Sequence, residues 1–145
     1  MNKIILNYLV LMGTLILVGC TATTSLSSVQ PGAIIDVNEA KNTGNPRTET
    51  LGVTSFGNYE FRVIGKDDRQ LFGILPLKFN GGYLAIDILF FAPAAFFNLR
   101  EVYPFYEFDL ENSVVKYKKD KNDPWISYSP SSAETNRAKS YFSGK

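Results

Sequence analysis

The chain predicts a small α+β domain. Its β part is mostly antiparallel, covered by one apolar, proline-interrupted helical segment and closed by a short C-terminal helix. Three observations carry this. Between Pro31 and Tyr128, short runs alternate polar and apolar residues and are separated by turn formers. Residues 81–99 are nearly all apolar, yet hold Asp87 and Pro93. Ser131-Ser132-Ala133-Glu134 has the spacing of a capping box.

The N-terminus comes first. Met1-Asn2-Lys3 is a short positive region, and Ile4 to Val18 is apolar except at Asn7, Tyr8, Gly13 and Thr14. This is the layout of a secretory signal, too short and wrongly flanked for a spanning helix. Leu17-Val18-Gly19-Cys20 closes it and holds the single cysteine of the chain. These residues resemble the lipobox of bacterial lipoproteins. The resemblance implies that residues 1–19 are removed and that Cys20 is acylated and opens the mature chain. Several acyl chains would then hold it on a membrane almost permanently. Thr21, in place of an aspartate, implies the outer membrane under enterobacterial-type sorting. The alternative is an ordinary N-terminal membrane anchor with an incidental cysteine.

Residues 20–30 follow as the acylated cysteine and a Ser/Thr-rich stretch, expected to be a flexible tether. Residues 31–128 are expected to form the α+β envelope domain. Ala33 to Val37 suits a strand, and Asn42 to Pro46 is dense in turn residues. Asn58 to Val63 alternates, with Tyr59, Phe61 and Val63 on one face, and Lys66-Asp67-Asp68-Arg69 is a charged turn.

Gly81 to Leu99 fails as a membrane span. Tyr83 to Phe97 as a helix covers only about 22 Å, against about 30 Å of hydrocarbon. Asp87 near its middle would cost about 3 kcal/mol on insertion. A buried helix broken at Pro93 is favoured, because a small sheet needs a cover. An interfacial hairpin touching the bilayer is the alternative. Buried, Asp87 requires a partner, with Lys78 and Arg100 nearest in sequence.

The hairpin register is more definite. A turn at Glu111-Asn112 between Phe105–Leu110 and Ser113–Lys118 sets Phe108 opposite Val115 and Tyr106 opposite Tyr117. On the other face Glu107 meets Lys116, and Phe105 meets Lys118. Trp125 to Tyr128 reads as a last strand. Residues 129–145 read as a polar extension with a short helix to about Phe142, from which Ala138, Tyr141 and Phe142 could dock.

A second resemblance lies in the middle. Gln30 to Val37, Gly44-Asn45-Pro46 and Gly57 to Val63 resemble a degenerate PEGA-type module, a small β domain of bacterial envelope proteins. The opening lacks a spacer residue, Gly44-Asn45-Pro46 replaces Gly-x-Thr-Pro, and the terminal Gly-Tyr is displaced to Gly82-Tyr83. The continuation through Phe90-Phe91-Ala92-Pro93 to Tyr106–Asp109 resembles small lipoproteins of unassigned function. Both resemblances imply an envelope location and a non-catalytic role.

Composition limits the chemistry. There are 15 basic and 14 acidic residues, so no basic stripe suggests nucleic acid. The chain has no histidine, the commonest metal ligand and general base, so no metal, cofactor or catalytic residue is expected. With one cysteine no internal disulfide forms. Asp87, among apolar neighbours, is the candidate buried functional acid. Glu107 and Asp109 read as the solvent face of a strand. Lys116 to Lys121 reads as a lysine-guarded strand end or as a contact for anionic lipid or wall polymer.

The expected role is structural or protein-interacting, at the periplasmic face of the outer membrane. Lipid through Cys20 and an envelope protein would be the partners. Tyr83, Phe90, Phe91, Phe96, Phe97, Tyr103 and Trp125 are the aromatic candidates for contact. Two alternatives remain: a membrane-inserted lipoprotein using residues 81–99, and an envelope hydrolase using Asp87 or Glu101.

Overall fold

The computed structural model describes residues 21–38, 40–42, 45–52, 58–79 and 100–144. Eleven strands and one helix lie among them. They are β1 (Thr21–Ser28), β2 (Ile34–Val37), β3 (Ala40–Asn42), β4 (Arg47–Gly52), β5 (Glu60–Ile64) and β6 (Gln70–Ile74). Then come β7 (Leu77–Phe79), β8 (Arg100–Val102), β9 (Phe105–Asp109), β10 (Val114–Lys118), β11 (Ile126–Tyr128) and helix α1 (Ser132–Ser143). The larger sheet runs β11-β10-β9-β1-β4, the smaller β3-β2-β5-β6, and β7 and β8 form a separate pair. Every pairing is antiparallel except β1 with β9.

Alternation builds both inner faces. Ile35, Val37, Phe61, Val63 and Leu71 of the smaller sheet are buried. They belong to one core with Leu26, Tyr106, Phe108 and Val115 of the larger sheet. The rings of Phe61 and Phe108 meet between the sheets at 5.0 Å. Each large side chain buried there contributes about 2 kcal/mol of transfer free energy.

Helix α1 covers the outer face of β5 and β6. Ser131 caps it: its Oγ accepts from the Glu134 amide, while the Glu134 carboxylate accepts from the Ser131 amide at 2.8 Å. The Glu134 carboxylate also accepts from the Tyr128 hydroxyl, which ties the helix start to β11. Partial burial pushes the Glu134 carboxyl up, but hydrogen bonds from Ser131 and Tyr128 outweigh it and leave it below its ordinary value. Ala138 is buried, Phe142 lies on Phe72 at 6.4 Å, and Arg137 Nε donates to Glu60 at 2.8 Å. Residues 129–130 carry the chain past β6. A Cβ on Gly73 would stand 2.7 Å from Pro130 and 2.8 Å from Phe61, so only glycine lets the crossover pass this closely. The C-terminal helix is therefore packed onto the sheet, rather than extending from it.

The hairpin register is as expected: Phe108 opposite Val115, Glu107 opposite Lys116, Tyr106 opposite Tyr117, Phe105 opposite Lys118. The ladder ends at Asp109 and Val114, and residues 110–113 make the turn. Ser113 takes a positive φ of 54° there.

One expectation is corrected. Residues 21–28 are a strand, not a tether, and they lie inside the larger sheet between β9 and β4. The residues facing the core are Ala22, Thr24 and Leu26, with Thr24 and Leu26 buried. Tyr106 and Phe108 of the neighbouring β9 supply the bulk, so β1 needs little of its own. The apolar, proline-interrupted helix expected at 81–99 lies outside the described residues.

Candidate functional site

Cys20, its neighbours Leu17, Val18 and Gly19, and Asp87 all lie outside the described residues. So do Tyr83, Phe90, Phe91, Phe96 and Phe97. The structure positions the described residues that border them, Thr21, Phe79 and Arg100.

The larger sheet sets the geometry of one end. Thr21 begins β1 and pairs with Gly52 of β4. In the parallel pair, Ser25 stands beside Phe105. Thr24 Oγ1 donates to the Tyr103 carbonyl at 2.7 Å, and the Ser25 amide donates to the Pro104 carbonyl at 2.8 Å. The chain before Phe105 therefore runs alongside the first half of β1, and β8 touches β1. Arg100 pairs with Phe79 across β7 and β8, so the described residues on either side of 80–99 are neighbours. Phe79 is 61 % exposed and Arg100 is exposed.

Lys78 is no free counter-ion for Asp87. Its Nζ lies 2.7 Å from Glu101, directly across the same strand pair. Glu101, considered above for a hydrolase role, is the other member of this ion pair.

The second region is the outer face of the larger sheet. Thr23, Ser25, Ser27, Thr48 and Thr50 line its β1 and β4 side. Lys118 Nζ stands 4.5 Å from the Trp125 ring and 5.6 Å from the Phe105 ring, and donates to the Lys121 carbonyl at 2.5 Å. Lys116 Nζ sits 3.2 Å from Glu107 and 3.8 Å from Asp109. Two lysines of the basic run are thus occupied within the domain. At the sheet edge Trp125 is 39 % and Ile126 51 % exposed. Tyr103, in contrast, packs on Tyr117 at 4.5 Å and Tyr106 at 6.2 Å. Tyr106 donates to the Pro76 carbonyl and accepts from the Tyr103 amide, and its burial raises its pKa.

Asp109 departs from its solvent-face reading. It is buried, and Oδ1 accepts from Gln30 Nε2 at 3.3 Å and from the amides of Glu111 and Asn112, each at 3.1 Å. Oδ2 accepts from Asn112 Nδ2 at 2.8 Å. The Asn112 hydrogen bond is the main reason this carboxyl stays below its ordinary value. Gln30 completes the join, since its Oε1 accepts from the Leu110 amide at 3.0 Å. These bonds organise the turn that joins β9 to β10.

Arg47 was not foreseen. It faces inward at the margin of the core, with Nη1 3.2 Å from Glu49 Oε1. None of its guanidinium nitrogens makes a geometrically sound hydrogen bond. Burial lowers its pKa from the ordinary value. The only sequence signal is its place two residues before Glu49, which puts both on one strand face.

Among the described residues there is no cluster of three or more acidic residues or cysteines suited to a metal, and no helix long and apolar enough to cross a membrane. Comparison with family models, with curated proteins and with solved structures yields no match. The class that the fold defines is a small, mostly antiparallel α+β domain with one short C-terminal helix.

Proposed function

We propose that this chain is a lipid-anchored cell-envelope protein with a structural or protein-interaction role, held at the periplasmic face of the outer membrane by acylated Cys20. The observation that carries the reading is Leu17-Val18-Gly19-Cys20 at the end of a short positive and apolar leader. The PEGA-type resemblance of residues 30–63 accords with the same location. Trp125 and Ile126, exposed at the β11 edge, suit a protein partner, because an uncovered strand edge with apolar side chains is a ready surface for association. Catalysis forms no part of the reading.

The test is the mass of the mature N-terminus purified from membranes, followed by cross-linking in intact envelopes through a C-terminal tag. Acyl groups on Cys20 and one stoichiometric protein partner are the expected results. An unprocessed Met1, or an unmodified Cys20, overturns the anchor. Recovery without a protein partner overturns the interaction role.

A further inference from the structure

We propose that the outer face of β5 and β6 is a docking groove for the amphipathic helix of a partner protein, filled by α1 as an internal stand-in. This surface is separate from the β11 edge and does not depend on the anchor at Cys20, so it goes beyond the reading above.

The groove follows from register. Phe61 and Val63 of β5 face the core, so Glu60 and Arg62 face outward. Across the sheet Asp36 stands beside Arg62 and Arg62 beside Phe72, while Glu60 stands beside Ile74. Asp36 takes the Arg62 guanidinium at 2.6 Å, so these two charges cancel. Glu60 is left as the charge that a covering element must meet. α1 meets it with Arg137 Nε at 2.8 Å. Asn58, with its amide oxygen turned toward the same guanidinium, accepts from Nη1 at 3.0 Å and from Nη2 at 3.2 Å. A planar fork fits this pair of acceptors, and a lysine could not reproduce it.

The rest of the α1 face matches at helical spacing. Thr135, Ala138 and Phe142 stand at i, i+3 and i+7. Thr135 Oγ1 donates to the Phe72 carbonyl at 3.3 Å, and Ala138 is buried. The Phe142 ring meets Phe72 and stands 4.9 Å from the Arg62 guanidinium. The occupant is thereby specified: a helix with an arginine, a small residue directly after it, and an aromatic ring four residues further on.

Displacement is argued from how α1 is held. Among the described residues, no side chain of α1 belongs to the core that the two sheets share. Of its twelve residues, Ala138 is the buried one. The Arg137 side chain is 55 % exposed, so its ion pair with Glu60 is open to water and contributes little. α1 can therefore leave as a unit while both sheets stay folded, as elements with few buried contacts do. The freed face presents Phe72 and Glu60 to an incoming helix, a general mode of recognition.

The experiment uses the full chain and, as probe, a fluorescent peptide of residues 129–145. Hydrogen exchange on the parent protein comes first. The α1 amides should exchange together and about ten-fold faster than those of β5. Equal protection of α1 and β5 overturns the proposal, because α1 would then open only with the whole fold. Arg137→Gln in the full chain weakens the internal helix without touching the groove. The peptide should bind this variant about ten-fold more tightly than the parent, in proportion to the larger open fraction. Adding Glu60→Gln should remove most of that gain. Absence of binding, equal affinity for parent and Arg137→Gln, or a gain that survives Glu60→Gln overturns the groove. A stable parent dimer joined through α1 assigns the groove to a second copy and overturns the partner helix.

Discussion

Two parts of the larger sheet contrast sharply. The β9–β10 hairpin has large alternating side chains and a local turn, and its register could be written down from the sequence. Strand β1, its neighbour, is Thr-Ala-Thr-Thr-Ser-Leu-Ser-Ser and reads as a tether. Both contribute to one core. The difference teaches that a strand advertises itself only when it brings its own apolar surface. β1 borrows it: Leu26 stands beside Tyr106, and Thr24 is 1 % exposed with its hydroxyl bonded to the Tyr103 carbonyl. A partner about eighty residues away in the chain leaves no local trace.

This comparison can be tested by perturbing each side. Phe108→Ala in the hairpin is expected to cost about 4 kcal/mol of unfolding free energy, since a buried ring is lost from the centre of the core. Leu26→Ala in β1 is expected to cost about 3 kcal/mol in urea denaturation, and a value near zero would restore the tether.

Asp109→Ala should cost about 2 kcal/mol, because a buried carboxylate accepting several hydrogen bonds is removed. Its pH dependence has a definite sign. The folded pKa lies below the ordinary 3.8, so the contribution is complete above about pH 4 and is lost as pH falls through the folded value. Urea midpoints measured at pH 5 and pH 3 should therefore differ less in Asp109→Asn than in the parent protein.

Smaller effects separate the two regions further. Thr24→Val keeps the shape but leaves the Tyr103 carbonyl without its donor, an expected loss of about 1.5 kcal/mol. Ser131→Ala removes the cap of α1 and should cost about 1 kcal/mol, read as an earlier loss of helical circular dichroism on heating.

Much of the fold was legible. The β2 segment, the 66–69 turn, the Tyr59-Phe61-Val63 face and the capping box all depend on neighbours within a few residues. The candidate site was legible only as an address. Leu17-Val18-Gly19-Cys20 is a local pattern, whereas the place of the following strand β1 in the sheet depends on its parallel pairing with β9. Asp109 was misread because alternation assigns a face but not the burial at a strand end, where Gln30 and the turn amides close over the carboxylate. Arg47 was missed because a lone arginine near an acid has no periodic signature.

The sequence by itself determined the local features: the hairpin register, the helix and its cap. These follow from side-chain periodicity and from hydrogen bonds spanning a few residues. Only the tertiary structure decided that residues 21–28 are a strand within the sheet, that α1 covers β5 and β6, and that Phe79 and Arg100 pair across β7 and β8. Those outcomes depend on contacts between distant segments, where the surface one strand must cover is set by another, and no short stretch of chain records that need.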